Sequence, residues 1–312
     1  MKTLITGGCG FIGSHVAEVL LERGDDVLVI DNLASGRRDN LKPHPKLTVV
    51  EGTIADKATV DAAFARFKPE SVLHAAASYK DPHDWTEDTM TNVLGGVNVI
   101  KASLEQQVKR FVYLQTALTY GAKPRQQPIR LDHPRYPDCS YAISKTAAEE
   151  YLEMSGLDYV TFRLANVIGP RNLSGPLPAF FKRLVAGQPC TVFRTRRDFV
   201  FVGDFAQLVV KALGGHGPKG TYHASTGGDY AIEELYTEVA RALGIDKKAE
   251  IKDPAPDDAP TILLDPTKTT ELFGWKATTP LRDTVTRAVA WYKENGVAHV
   301  HTHLKLEAPK VK

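Results

Sequence analysis

Thr3-Leu4-Ile5-Thr6-Gly7-Gly8-Cys9-Gly10-Phe11-Ile12-Gly13 joins a short β-rich run to an apolar helix through a glycine-rich turn. Glycines in such a turn let the backbone bend sharply and approach a ligand closely. The first N–H groups of the following helix are left unpaired at its positive end, which is where a pyrophosphate binds. A ligand-free strand-to-helix turn has the same composition, so the reading depends on what surrounds it. On this reading Gly7, Gly10, Phe11, Ile12 and Gly13 are expected to cradle a dinucleotide.

Asp31 ends the next β-rich run, 21 residues after Gly10. A carboxylate there accepts hydrogen bonds from ribose hydroxyls and repels a 2′-phosphate, which favours NAD over NADP. Arg37 and Arg38 argue the other way, because guanidinium groups could hold that phosphate; the alternative is a solvated loop. Asn32 and Ser35 are further candidates for ribose contacts.

Beyond Asp31 the chain alternates β-rich runs (TLIT, DVLVI, LTVV, SVLHAA, RFVYLQT, YVTFRL) with segments read as helices, among them 12–23, 86–107, 140–155 and 178–186. Strand–helix alternation of this kind predicts parallel βαβ units with right-handed crossovers. The expected fold is α/β: a Rossmann-type doubly wound parallel sheet with a smaller C-terminal α/β lobe for substrate. Residues 1–170 are assigned to the NAD-binding domain and 171–312 to the lobe, with some lobe segments returning to the sheet. Past Gly169-Pro170 the pattern loosens, leaving helices expected at 232–243 and 281–295.

A chain of 312 residues can bury such a core without a disulfide or metal staple. With 39 basic and 37 acidic residues the net charge is +2, so no whole-molecule field recommends nucleic acid or membrane as a partner. The three cysteines, Cys9, Cys139 and Cys190, are widely spaced and fit a reducing compartment. No apolar signal segment or membrane-length run is evident, and a cytoplasmic protein is expected. His299, His301 and His303 alternate near the end without an accompanying Cys or carboxylate cluster, which reads as a solvated tail or docking segment rather than a metal clip.

The candidate chemistry lies between the fifth and sixth strands. Tyr141 and Lys145 are four residues apart on one helix face, so an ammonium lies beside a phenol. Nearby positive charge favours phenolate, which makes Tyr141 a general base in oxidation and an acid in reduction. Thr116, 25 residues upstream at the end of RFVYLQT, adds a hydroxyl that orients the reacting oxygen. A bare YxxxK pattern also occurs on ordinary helix surfaces. Its conjunction with the glycine turn and Thr116 is what points to hydride and proton transfer at a carbinol.

These residues belong to a longer ordered series: the Gly7–Gly13 turn, Asp31-Asn32-Leu33, Leu73-His74-Ala75-Ala76, Asn92-Val93, Tyr120-Gly121, Tyr141-x-x-x-Lys145, the run from Arg163 through Asn166 to Arg171, Arg197-Asp198-Phe199 and Phe273-Gly274-Trp275. The series resembles the extended short-chain dehydrogenase/reductase family of NAD-dependent sugar-nucleotide epimerases and dehydratases, of the UDP-sugar 4-epimerase type, from about residue 1 to about 296. The resemblance implies that Ala75 and Ala76 line the cofactor, Asn92 supports the strands under the nicotinamide, and Lys145 also holds the nicotinamide ribose. It places Asn166, Arg171 and Arg197 on a nucleotide-sugar substrate, with Tyr79 and Lys80 near the sugar. A surface ion pair is the alternative for Arg197-Asp198, worth at most about 1 kcal/mol. A homodimer built from the helices at 86–107 and 140–155 is also implied.

Dehydratases of the family carry an Asp-Glu pair directly after the catalytic Thr, and decarboxylases tend to place a Glu at the second position. Here those positions hold Ala117 and Leu118, which cannot titrate. The resemblance therefore implies 4-epimerisation of a nucleotide sugar, a UDP-hexose or UDP-hexuronic acid, through a 4-keto intermediate. Decarboxylase, dehydratase or 4-ketoreductase chemistry on the same fold, and a non-catalytic NAD-binding redox sensor, are the alternatives. The chain departs from the family pattern at Gln115, where a small hydroxyl residue is usual, at Thr53, where an Asp is usual, and at Ala255, where an Arg is usual. Arg194 and Arg196 are candidates to compensate or to meet a sugar carboxylate.

Overall fold

The computed structural model describes all residues except 80, 82, 255–258, 298, 299 and 301–312. The first half of the chain comprises β1 (Lys2–Thr6), α1 (Phe11–Glu22), β2 (Asp26–Asp31), β3 (Leu47–Glu51), α2 (Lys57–Phe67), β4 (Ser71–His74), α3 (Trp85–Asp88), α4 (Gly96–Glu105), β5 (Arg110–Thr116), α5 (Ser140–Met154) and β6 (Tyr159–Leu164). Alternate residues on the strands face opposite layers, as the two-residue period requires. Ile5, Val29, Leu73 and Val112 enter one core, whereas Leu4, Leu28, Val72 and Phe111 enter the other. Both faces are apolar because helices cover both, the condition under which a parallel sheet is stable.

The remaining elements are β7 (Asn166–Ile168), α6 (Pro176–Val185), β8 (Thr191–Phe193), β9 (Arg196–Arg197), β10 (Phe199–Phe201), α7 (Val202–Leu213), β11 (Gly220–Ala224), β12 (Tyr230–Ala231), α8 (Ile232–Leu243), β13 (Glu250–Lys252), β14 (Thr261–Ile262), α9 (Thr267–Phe273) and α10 (Leu281–Asn295). The main sheet has seven strands in the order β11-β6-β5-β4-β1-β2-β3. Every pairing in it is parallel. The winding reverses between β1 and β4, and in open sheets of this kind ligands bind at the carboxyl ends of the strands beside that reversal.

Three local expectations need correction. The segment between β2 and β3 holds only a single 3-10 turn, Arg38–Asn40, where a helix was read; Gly36, Pro43 and Pro45 interrupt it. The helix expected at 86–107 is interrupted by a π-helical stretch, Thr89–Gly95, between α3 and α4. There Asn92 turns inward, accepting from the Ser78 N–H at 2.8 Å and donating to Ser144 Oγ at 3.0 Å. The strand read at 71–76 stops at His74: the Ala75 N–H makes the last ladder bond, to the Thr6 carbonyl at 3.1 Å, and the Ala76 N–H turns to the Thr6 side-chain Oγ1 at 3.3 Å.

In the second half, α6, α8 and α10 enclose their own core of Leu177, Phe181, Leu235, Val239, Val285 and Tyr292. Between α6 and α8 the chain returns to the sheet: α7 packs its buried Phe205, Leu208 and Val209 onto the α1 side, and β11 pairs with β6. Neither element was read from the sequence, although Asp204, Gln207 and Lys211 recur at the spacing of one polar helix face on α7. Among the described residues no helix is long and apolar enough to cross a membrane. His299, His301, His303 and Ala255 lie outside the described residues.

Candidate active site

The glycine turn is held by contacts that exclude side chains. Gly7 has φ +70°, and a Cβ there would lie 2.7 Å from the Ala76 backbone; one on Gly13 would lie 2.3 Å from the Gly7 carbonyl oxygen. The turn thus presses directly against the Ala75-Ala76 exit from β4. Gly10 caps α1 without a side-chain partner, and the first turn of α1 carries no acidic residue. Gly10, Phe11 and Ile12 line a cleft of about 1850 Å³ that also reaches Ala75, Ala76, Tyr141 and Lys145. This cradle fits the pyrophosphate of a dinucleotide: its donors are backbone N–H groups and its field is positive.

Asp31 lines the same cleft. It accepts from the Cys9 N–H and the Leu33 N–H, each at 2.8 Å, one on each oxygen. Burial raises its pKa, and the hydrogen bonds from Leu33, Cys9 and Gly10 oppose that rise. With three of about four acceptor sites used, the carboxylate keeps capacity for a ribose hydroxyl. Arg37 is held by Asp39 through two hydrogen bonds, at 2.9 and 2.5 Å, which takes up its fork before any 2′-phosphate could. Asn32 accepts from the Ala34 N–H at 3.1 Å, shaping the loop. Ser35 hydrogen-bonds the Tyr79 side chain, so two residues expected on different ligand moieties bridge the cleft between the β2 and β4 loops.

Thr116 stands at the carboxyl end of β5, and its Oγ1 accepts from the Leu118 N–H at 3.2 Å. Tyr141 is the second residue of α5 and Lys145 lies one turn on. The Tyr141 ring meets that of Tyr79 edge-on, with centroids 6.3 Å apart. Thr116, Tyr141 and Lys145 all face the cleft. Lys145 is 2 % exposed, and its ammonium lies 4.1 Å from the centre of the Tyr113 ring. Burial pushes Lys145 down to about 7, while Glu149 pulls the other way. Burial also raises Tyr141, with smaller upward contributions from Tyr79, Cys139 and Asp88. Protein burial therefore acts against the expected phenolate, and positive charge has to be supplied in the cleft to produce it.

Several residues behind this set were given no site role from the sequence, although His74, Tyr120 and Arg163 stand in the motif series. His74 is buried, accepts or donates at Thr6 Oγ1 at 2.7 Å, and stacks on Tyr113 at 5.4 Å. Burial pushes it down to about 3, so it is a neutral platform under the ring that supports Lys145. Glu149 has no exposed surface and meets Arg163 at 3.0 Å. Arg163 in turn donates to Tyr120 Oη at 2.7 Å. A carboxylate four residues beyond Lys145 was the available signal, because helix periodicity turns it inward with the lysine.

On the substrate side, Asn166 lines the cleft and donates to the Asp198 carbonyl at 3.2 Å. Arg197 also lines it. Asp198 is fully buried and accepts from Ser225 Oγ at 2.6 Å and the Thr226 N–H at 2.8 Å, an inward anchor rather than a surface carboxylate. Arg171 reaches the cleft, but its guanidinium is gripped by Glu18 of α1 at 2.6 and 2.8 Å. Arg194 and Arg196 pair at the surface with Asp253 at 2.8 Å and Asp229 at 2.7 Å. Lys80 lies outside the described residues. Lys123, Arg125, Phe180 and Trp291 also line the cleft; they come from a loop and from the smaller lobe, where no local pattern marked them.

Comparison with known proteins adds an independent line. Residues 3–224 match the NAD dependent epimerase/dehydratase family. The UDP-glucose 4-epimerase of Mycolicibacterium smegmatis is 32 % identical over 310 residues, covering 94 % of this chain and 99 % of that one. The crystal structure of the Bordetella bronchiseptica enzyme WbmH in complex with NAD⁺ is 58 % identical, with a TM-score of 0.92 over 95 % of this chain and 99 % of its own. That of WbmG from the same organism, in complex with NAD and UDP, is 45 % identical, with a TM-score of 0.89 over 97 % of each chain.

Proposed function

The chain belongs to the NAD dependent epimerase/dehydratase family, and from that premise we propose that it interconverts the C4 epimers of a UDP-linked sugar through a transient 4-keto sugar. The observation that carries this reading is the set of Thr116, Tyr141 and Lys145 in one cleft, followed after Thr116 by Ala117 and Leu118, which cannot move a proton. Dehydration or decarboxylation would need a further acid or base at those positions.

Held on the glycine turn and Asp31, NAD would supply the reversible hydride acceptor for C4. The chain's own residues do the rest. Tyr141 removes the proton of the C4 hydroxyl and later restores it, while Thr116 hydrogen-bonds the same oxygen and holds its direction. Lys145, whose charged form Glu149 favours against burial, stabilises the phenolate that forms in between. The glycine turn and Asp31 hold the dinucleotide, and Asn166 and Arg197 meet the UDP diphosphate. Because the coenzyme is regenerated in each turnover, it stays bound through purification.

The sheet body serves NAD, and the lobe built on α6, α8 and α10 closes over the nucleotide sugar. The protein is a homodimer: Met90, Leu94, Ile143, Tyr151 and Met154 leave an exposed apolar face on the neighbouring helices of residues 85–105 and α5, and a second copy covers it. A reducing cytoplasm suits its three free cysteines. Incubation with UDP-glucose, UDP-N-acetylglucosamine and UDP-glucuronate tests the reading, since only epimerisation conserves mass. A product lighter by water or carbon dioxide would replace it with dehydration or decarboxylation.

A further inference from the structure

Gln115 departs from the hydroxyl residue usual at its position, and the structure shows what its longer side chain reaches. It is 1 % exposed and points from β5 toward α5. Its Oε1 accepts from the Thr116 N–H at 2.8 Å. Its Nε2 donates to the Lys145 carbonyl at 2.9 Å and to Glu149 Oε2 at 3.0 Å. One amide thus binds the backbone of Thr116 and the backbone of Lys145, and uses both of its hydrogens to do so. Tyr113, two residues earlier on β5, donates to the same Lys145 carbonyl at 3.0 Å.

We propose that Gln115 is the positioning residue that sets the distance between Thr116 and the Tyr141–Lys145 face of α5; the inference rests on the reading of those three residues given above. Thr116 closes a strand and Tyr141 opens a helix, so their spacing depends on how β5 docks on α5. Apolar packing leaves such a contact free to slide by fractions of an ångström, whereas hydrogen bonds at 2.8–3.0 Å do not. Glu149 is itself fixed on its other oxygen by Arg163, at 3.0 Å, so Gln115 bears on an immobile partner. A serine at this position is shorter by two heavy atoms and could not span from β5 to α5. Gln115 touches no reacting atom and acts through Thr116 and Lys145.

The test compares wild type with Gln115→Met, which keeps length and removes all three hydrogen bonds, and Gln115→Ser, which serves if the first variant folds poorly. Misplacement of reacting groups by about 1 Å costs about 100-fold in rate, so a smaller shift predicts a kcat lower by about 10-fold or more. KM for the UDP-sugar and the NAD content of purified protein should change much less than kcat, because the glycine turn, Asp31, Asn166 and Arg197 are untouched. A crystal structure of Q115M should show the end of β5 displaced relative to α5. An unchanged kcat with Thr116 and Lys145 in their wild-type positions would overturn the proposal, as would a loss confined to KM or NAD content. If wild type turns over no UDP-sugar, the functional reading fails on its own, and the crystallographic displacement still decides the role of Gln115.

Discussion

The Lys145 ammonium sits 4.1 Å from the centre of the Tyr113 ring, and that ring stacks on the neutral His74 at 5.4 Å. The buried side chain lies over an aromatic face, with the Glu149 carboxylate one helical turn along α5 on the same face. Burial outweighs both of these favourable contacts and lowers the Lys145 pKa to about 7, so its proton is held less tightly than that of a solvated lysine.

A pH dependence of stability follows. The folded-state value lies below the unfolded one, about 10.4, so between roughly pH 7 and 10 the unfolded chain binds more protons than the native one. Stability rises with pH wherever that holds. Thermal melts of NAD-depleted protein should show wild type gaining stability across that window relative to Lys145→Met. Parallel curves for the two proteins would mean that Lys145 is charged throughout.

Tyr141→Phe removes the proton carrier and leaves the pyrophosphate cradle intact. NAD should remain bound by native mass spectrometry, while turnover falls by about 10²–10⁴-fold, the usual contribution of a positioned acid–base group. Near-normal turnover would remove Tyr141 from the mechanism.

Gly13→Ala puts a methyl group 2.3 Å from the Gly7 carbonyl oxygen. Backbone cannot give way as a flexible side chain would, and overpacking of this kind costs about 1–3 kcal/mol. A lower melting temperature and loss of copurifying NAD are expected, the second measured by absorbance of the denatured supernatant.

Cofactor choice should respond to two carboxylates. Hydrogen bonds to a charged group contribute about 1.5–3 kcal/mol, so Asp31→Ala should weaken NAD binding by about 10- to 100-fold. Adding Asp39→Ala releases the Arg37 guanidinium from its 2.5 Å partner and should raise NADP affinity above that of the single variant. Calorimetric titration with both coenzymes measures the reversal; unchanged preference would place the ribose elsewhere.

The exposed apolar face gives a test of assembly. Ile143 is 55 % and Met154 77 % exposed on α5. Ile143→Glu combined with Met154→Glu should convert the sedimenting species from dimer to monomer, and a monomeric wild type would dismiss the interface.

Local pattern carried much of this protein. Strands β5 and β6 and helices α8 and α10 lie where the residues alone placed them. The two-residue and 3.6-residue periods are properties of short segments, and so are the glycine turn and the one-turn spacing of Tyr141 and Lys145. What chain distance hides needed the fold. The return of Gly220–Ala224 to pair with β6 is set by where a long excursion ends. The grip of Glu18 on Arg171 crosses more than 150 residues, |i−j| = 153, and the Ser35–Tyr79 contact joins two loops over one cleft. Gln115 spans from β5 to Lys145 and Glu149 on α5. Such contacts depend on the docking of separate elements, and no local period encodes the distance between a strand and the helix packed upon it.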